Sequence, residues 1–126
     1  HKSDGSIGMI DHQGARLAPL GYDLVNLIED ARIELPAEWK ETLLSRFIST
    51  CSVDRGDFMS VFDLLSLQFH LRIMGQADYL AQEKDRADLL RFQPSLRRRI
   101  LSRLDKPAFS GIRQLIEDVK PEFMGE

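Results

Sequence analysis

The chain has 126 residues, of which 43% are hydrophobic and 29% charged, with a formal net charge of -3 and one cysteine. This length allows one domain with a buried core, and the composition is typical of a globular protein. The small negative charge gives no general attraction to nucleic acid or anionic lipid, and a single cysteine excludes an internal disulfide framework. No apolar run approaches the roughly 18 residues of a membrane span and no secretory core is present, so we expect a cytoplasmic protein.

The N-terminal segment predicts a hairpin turn and a short strand. Asp4 and Gly5 form a turn signal, and residues 7–10 that follow are apolar apart from Gly8. The chain begins without a methionine shortly before this strand. We therefore expect a fragment or a processed chain, with the partner of the strand either in residues near the N-terminus or in missing sequence.

Apolar residues at helical spacing dominate the rest of the chain. They predict helices over residues 21–31, 36–51, 57–82, 87–104 and 109–119. A turn is expected at residues 54–56, and a break at Gln93-Pro94 because proline removes a backbone donor. The third helix is apolar on nearly all sides, which is typical of a helix at the centre of a bundle. The predicted fold is therefore mostly α, a single domain over residues 1–126 with a short N-terminal strand or hairpin.

Asp11 ends the predicted strand, and Gln13 lies shortly after it. A carboxylate in this position can hold Mg²⁺ against phosphate oxygens, because this hard cation takes oxygen ligands. Gln13 is then a candidate cofactor-binding residue at the same site, beside the Mg²⁺ and the phosphate oxygens. An aspartate at a strand end also commonly caps a turn. The residues alone leave both interpretations of Asp11 open.

Polar residues on the long helix form two stripes on opposite sides at about 100° per residue. One contains Gln68, Arg72, Gln76 and Tyr79, and the other contains Asp63, Ser66 and His70. Gln68 and Arg72 are candidate substrate-binding residues, because both donate well to hydroxyl and anionic oxygens. The alternative is a stripe that meets solvent or satisfies backbone groups. We expect His70 to be structural and to pair with an acid such as Asp63.

A local basic patch contains Arg97, Arg98, Arg99 and Arg103. It lacks interleaved aromatic residues, so we expect the solvated face of an amphipathic helix rather than a nucleic-acid site. Cys51 is interpreted as a packing residue. Three histidines without close spacing argue against a zinc site.

Two segments resemble a known family. Residues 8–19 (GMIDHQGARLAP) and 21–32 (GYDLVNLIEDAR) are similar to the aminoglycoside phosphotransferase and choline kinase-like family. The resemblance is greatest to its bacterial anomeric sugar kinases, which phosphorylate N-acetylmuramate and N-acetylglucosamine in cell-wall recycling. Those proteins carry an Ile-Asp-Phe-Gln-Asp-Ala segment and a Tyr-Asp-Leu helix opening. Residues 62–75 (FDLLSLQFHLRIMG) resemble their Leu-Gln-Arg-His-Leu-Lys-x-x-Gly helix.

This resemblance implies the helical C-terminal lobe of a protein-kinase-like fold. Asp11 would be the metal-binding acid, and Asp23 would hold the backbone of the catalytic loop. His12 stands where the family has phenylalanine, and Gly14 stands where it has aspartate. The cofactors implied are Mg²⁺ and ATP.

Several parts of a phosphotransferase are absent from the sequence. It contains no Gly-x-Gly-x-x-Gly, no Gly-x-x-x-x-Gly-Lys-Ser/Thr and no His-x-Asp loop. In the family these parts lie upstream, so we expect the N-lobe and the catalytic residues before His1, and no ATP turnover by these 126 residues alone.

The leading hypothesis is the C-terminal portion of an ATP-dependent kinase that acts on a hydroxyl of a small amino sugar or of an aminoglycoside-like substrate. The alternative is a non-catalytic helical module that binds a protein partner. A third hypothesis, nucleic-acid binding through the basic patch, would require steep salt dependence, which we do not expect. No membrane partner is expected, and the sequence leaves the acceptor and the oligomeric state open.

Overall fold

The computed structural model describes residues 3–8 and 15–125, and regular structure within these ranges is helical. The α-helices are α1 (Tyr22–Ile28), α2 (Ala37–Cys51), α3 (Arg55–Glu83), α4 (Gln93–Leu104) and α5 (Ser110–Val119). Short 3₁₀ helices occupy Ala87–Phe92, Pro107–Phe109 and Pro121–Phe123. The prediction of a mostly α chain is confirmed for this part of the molecule.

The predicted N-terminal strand is not seen in the residues that the structure describes. Residues 3–5 form the expected turn, in which the backbone N–H of Ser6 donates to Asp4 Oδ1 at 2.9 Å. Residues 7–8 are exposed and belong to no regular element, while residues 9–10 lie outside the described ranges.

Helix α1 is shorter than the sequence predicts and ends at Ile28 instead of continuing to residue 31. The reason is local competition for backbone groups. The backbone N–H of Arg32 donates to Asp30 Oδ1 at 2.9 Å. This local hydrogen bond favours a non-helical turn at residues 30–32 over continuation of the α-helix.

Helix α2 ends at Cys51 as predicted, but the predicted turn at residues 54–56 is wrong. Asp54 has an extended backbone, and its Oδ1 accepts a hydrogen bond from the backbone N–H of Asp57 at 2.9 Å. It is therefore the N-cap of α3, which begins at Arg55. An aspartate that resembles a turn signal in sequence here starts the longest helix of the chain.

Helix α3 contributes to two apolar clusters on different faces. The first joins α1, α2 and α3 through Leu24, Val25, Ile28, Leu44, Ile48, Phe58, Phe62, Leu65 and Phe69. The second joins α3 to α4 and the following 3₁₀ helix through Leu67, Ile100, Leu104 and Phe109. The prediction that α3 is buried on nearly all sides is wrong at Val61 and Leu64, whose exposed fractions are 42% and 51%. Helix α3 is rich in apolar residues because it packs into two separate apolar clusters, and not because it is enclosed on all sides.

The C-terminal elements follow the proline positions. The predicted break is confirmed, since the 3₁₀ helix ends at Phe92 and α4 begins at Gln93. Pro94 lies in the first turn of α4, where an intrahelical donor is not needed. Across the described residues, no helix has the length and apolarity needed to cross a membrane.

Two glycines provide a matched test of this packing. Gly21 has φ 96°, and a Cβ there would lie 3.0 Å from the buried ring of Phe58. Gly75 lies within α3, and a Cβ there would meet nothing within 4 Å. We expect Gly21→Ala to lower the free energy of unfolding by more than about 1 kcal/mol, because a left-handed conformation and a ring contact both oppose it.

Gly75→Ala is the control and should raise the free energy of unfolding by about 0.5–1 kcal/mol, because alanine restricts the unfolded helix segment. Urea denaturation followed by circular dichroism measures both. Equal effects of the two substitutions would contradict the close contact between Gly21 and Phe58.

Candidate functional site

The predicted metal and cofactor residues, Asp11 and Gln13, lie outside the described residues. Within residues 3–8 and 15–125, no group of three His, Cys, Asp or Glu side chains is arranged to hold a metal ion. Asp23 lies in the first turn of α1 and is exposed. The roles assigned to these three residues stay predictions.

The predicted polar stripes of α3 occupy different environments. Gln68, Arg72, Gln76 and Tyr79 are exposed, whereas Asp63, Ser66 and His70 are buried. The predicted separation of the stripes is confirmed. Gln68 and Arg72 together border a shallow groove between α3 and Ile112 of α5, and only Arg72 of this pair extends to a second, more polar groove.

We call this second site the Arg72 groove. It has a volume of about 400 Å³ and lies between the loop after α1, the second half of α3 and the 3₁₀ helix Ala87–Phe92. Its polar lining residues are Asn26, Asp30, Arg32, Arg72 and Gln76. Its apolar lining includes Phe69, Ile73, Ala77, Leu80, Leu89, Phe92 and Leu96. A mostly apolar pocket with a few convergent polar groups is typical of a small-molecule site.

The charged groups of the Arg72 groove are unevenly paired. Arg32 Nη2 donates to Asp30 Oδ2 at 2.6 Å, and Arg32 Nε donates to Asp30 Oδ1 at 3.0 Å. The hydrogen bond from Arg32 lowers the pKa of the Asp30 carboxyl group below its ordinary value, despite partial burial. Arg72, by contrast, forms no ion pair with any residue that the structure describes, and its guanidinium lies 5.5 Å from the centre of the Phe69 ring. The groove therefore offers one arginine that is positioned by an aromatic ring and is available to an anion.

A second polar site lies inside the fold around Glu29, whose residue is 7% exposed. Glu29 Oε1 lies 3.3 Å from Arg103 Nη2, and Glu29 Oε2 lies 3.4 Å from Arg99 Nη1 and 3.6 Å from His70 Nε2. Lys40 of α2 approaches the same carboxylate at 4.0 Å. One carboxylate thus links the end of α1 to three other helices. We call Glu29 and these four partners the Glu29 cluster.

An adjacent carboxylate extends the buried charge. Asp63 pairs with Lys106 and lies 3.5 Å from Arg103 Nε, which also donates to the hydroxyl oxygen of the fully buried Ser66. Two expectations are corrected here. The basic patch is not a uniformly solvated face, because Arg99 and Arg103 have side chains only 12% and 19% exposed and neutralise buried acids. His70 is structural, but it pairs with Glu29 and not with Asp63.

The ring of His70 is fully buried, and the tautomer of its neutral form follows from its hydrogen-bond partner. The backbone carbonyl of Glu29 accepts from His70 Nε2 at 3.1 Å, so the neutral ring carries its hydrogen on Nε2. Nδ1 has no hydrogen-bond partner among the described residues. Burial lowers the pKa of His70 below its ordinary value of 6.5, and the nearby Arg99 and Arg103 act in the same direction against the attraction of Glu29.

Few features of the amino-acid sequence indicate the Glu29 cluster. Glu29 and Asp30 are adjacent acids in a segment predicted to be helical, and nothing local distinguishes the buried one from the exposed one. The available signal was the helical phase of α4. Arg99 and Arg103 are four residues apart and share a face with the buried Ile100 and Leu96, so part of the basic patch had to point inward.

The Glu29 cluster predicts unequal effects of two glutamate substitutions. Glu29→Gln leaves the mostly buried Arg99 without its counter-ion and leaves Arg103 with Asp63 alone, so we expect it to lower the free energy of unfolding by about 3–5 kcal/mol. Glu34→Gln is the control, because its pair with Arg98 is exposed on both sides, and its effect should stay within about 0.5 kcal/mol. Urea denaturation at neutral pH measures both values. A Glu29→Gln protein as stable as the Glu34→Gln protein would contradict the cluster.

His70 predicts a pH dependence of stability. As pH falls below 6.5, the unfolded chain protonates His70 while the folded protein keeps it neutral to lower pH. Unfolding then takes up a proton, so the stability that is fully present above this pH decreases by up to about 1.4 kcal/mol per pH unit. His70→Gln retains a donor for the Glu29 carbonyl but cannot titrate. Denaturant midpoints between pH 7.5 and pH 5 should fall more steeply for the unmodified protein; parallel curves would contradict a buried neutral His70.

Comparison with known proteins supports a kinase-like relation. No protein-family model matches the chain. It is similar to a bacterial kinase, with 30% identity over 105 residues. That relative is the N-acetylmuramate/N-acetylglucosamine kinase of Neisseria meningitidis serogroup B. The alignment covers 75% of this chain and 31% of the relative, so the chain spans less than a third of that protein's length.

Proposed function

We propose that this chain is the helical C-terminal portion of an ATP-dependent phosphotransferase that acts on a hydroxyl of a small amino sugar. The observation that carries the proposal is the similarity to an N-acetylmuramate/N-acetylglucosamine kinase over most of the chain. The helical architecture of the described residues is compatible with such a lobe. Nucleotide-covering and catalytic loops would be supplied by sequence upstream of His1 in the intact protein.

The Arg72 groove is the best candidate for part of the acceptor site. Its volume of about 400 Å³ lies within the range of small-molecule pockets. The amide of Gln76 can both donate to and accept from sugar hydroxyls. Asn26 Nδ2 donates to the backbone carbonyl of Tyr22 at 2.7 Å, and its Oδ1 can accept from a sugar hydroxyl. Phe69, Ile73 and Ala77 offer an apolar wall on which an acetyl methyl group can pack. Binding here would orient the acceptor, while the catalytic groups would come from sequence upstream of His1 in the intact protein.

Asp11 is the proposed Mg²⁺ ligand in the intact protein. Bound magnesium would neutralise the phosphate oxygens of ATP and stabilise charge that develops during phosphoryl transfer. The described residues contribute no ligand set of their own.

Replacing Asp11 by alanine in the intact protein tests the proposal. We expect transfer from ATP to N-acetylglucosamine or N-acetylmuramate to fall by at least about a hundredfold, because the metal loses a protein ligand. Coupled detection of ADP measures the rate, and thermal melting checks that the fold persists. Asp4→Ala is the matched control, since it removes an exposed carboxylate from the turn that precedes this segment.

Full activity of the folded Asp11→Ala protein would reject the metal role.

The gene sequence before His1 distinguishes the enzyme from the alternative, a non-catalytic module that binds a protein partner. A lysine-bearing strand and a His-x-Asp loop there would favour the enzyme, whereas a start codon directly before His1 would favour the module.

A further inference from the structure

The Arg72 groove contains more positive than negative charge. Two arginines, Arg32 and Arg72, and one aspartate, Asp30, line it, which leaves a net charge of +1. Because Asp30 is held by two hydrogen-bonding nitrogens of Arg32, its charge is already neutralised. The uncompensated charge is therefore located at the guanidinium of Arg72.

The surroundings of Arg72 favour a single carboxylate over a polyphosphate. The guanidinium of Arg72 lies over the Phe69 ring, and this contact limits the orientations that the planar group can adopt. Its paired N–H donors can bind both oxygens of one carboxylate. A triphosphate carries several charges and is usually bound by a cation cluster with magnesium, whereas this groove has one available cation and a mostly apolar wall. A singly charged ligand with an apolar substituent matches the lining better.

We infer that the Arg72 groove selects an acidic N-acylated sugar over its neutral counterpart, with the carboxylate of the sugar bound to Arg72. The inference rests on the proposed function, because it assigns the acceptor to this groove. The acyl methyl packs on the apolar wall that includes Ile73 and Ala77, and the sugar hydroxyls contact Asn26 and Gln76. Arg72 is thus a specificity residue, and it takes no part in the transfer of the phosphoryl group.

Two substrates that differ by a lactyl carboxylate provide the test in the intact protein. N-acetylmuramate carries this group and N-acetylglucosamine lacks it. We expect Arg72→Gln to lower kcat/KM for N-acetylmuramate by about 10- to 100-fold, through the loss of a charge-assisted hydrogen bond. The value for N-acetylglucosamine should change by less than about twofold, because no charge is lost toward this substrate. Arg72→Lys should restore part of the loss, since it keeps the charge without the planar fork.

Arg91→Gln is the matched control. Arg91 is also an exposed arginine, with its guanidinium 4.8 Å from the centre of the Phe92 ring, but it does not line the groove. Its substitution should leave the preference between the two sugars unchanged.

The outcomes separate the two proposals. If the unmodified protein phosphorylates the sugars and Arg72→Gln changes both rates equally or neither, the carboxylate assignment is overturned while the proposed function stands. If the unmodified intact protein phosphorylates neither sugar, both proposals are overturned. A selective loss for the acidic sugar supports both.

Discussion

The ion pairs of Glu29 are the constraint on which the arrangement of the helices depends. A carboxylate that is 7% exposed is costly in an apolar interior unless opposite charges and donors surround it. Here those groups come from α2, α3 and α4, and Arg103 lies 74 positions along the chain from Glu29. The apolar clusters supply most of the driving force for collapse, but apolar packing alone tolerates small shifts of one helix along another. The ion pairs allow fewer positions of α4, because Arg99 and Arg103 must both lie within reach of Glu29.

Sequence patterns predicted the presence of the helices well, and the residues at which some of them begin or end less well. Apolar spacing located α3 to within two residues at its start and one residue at its end, and proline explained the start of α4. Errors occurred where one short polar side chain decided the backbone. Asp30 ended α1 early through a local hydrogen bond, and Asp54 capped α3 where a turn was expected. Such choices depend on one bond and have no periodic signal.

The candidate site was only partly visible in the sequence. Helical phase placed Gln68 and Arg72 on one stripe, opposite the stripe of His70, and the structure agrees. Helical phase could not predict that Arg72 and Gln76 line one groove with Asn26 and Asp30, because this depends on how the loop after α1 packs against α3. His70 lies beside an acid as predicted, but for the same reason the sequence did not indicate that this acid is Glu29 instead of Asp63. Asp63 lies nearby on the same helix, whereas Glu29 approaches from 41 positions away in the chain.

The placement of opposite charges on separate elements also determines how far the chain can be divided. Glu29 and Asp63 belong to the N-terminal helices, while Arg99, Arg103 and Lys106 lie in α4 and just after it. A piece that ended in the loop at residues 84–86 would keep Lys40 and His70 beside Glu29. It would lose the ion-pair partners that Glu29 and Asp63 have in and just after α4. The C-terminal piece would carry the complementary cations on an amphipathic helix. The N-terminal part of the molecule therefore supplies the buried acids, and the C-terminal part supplies most of the cations that neutralise them.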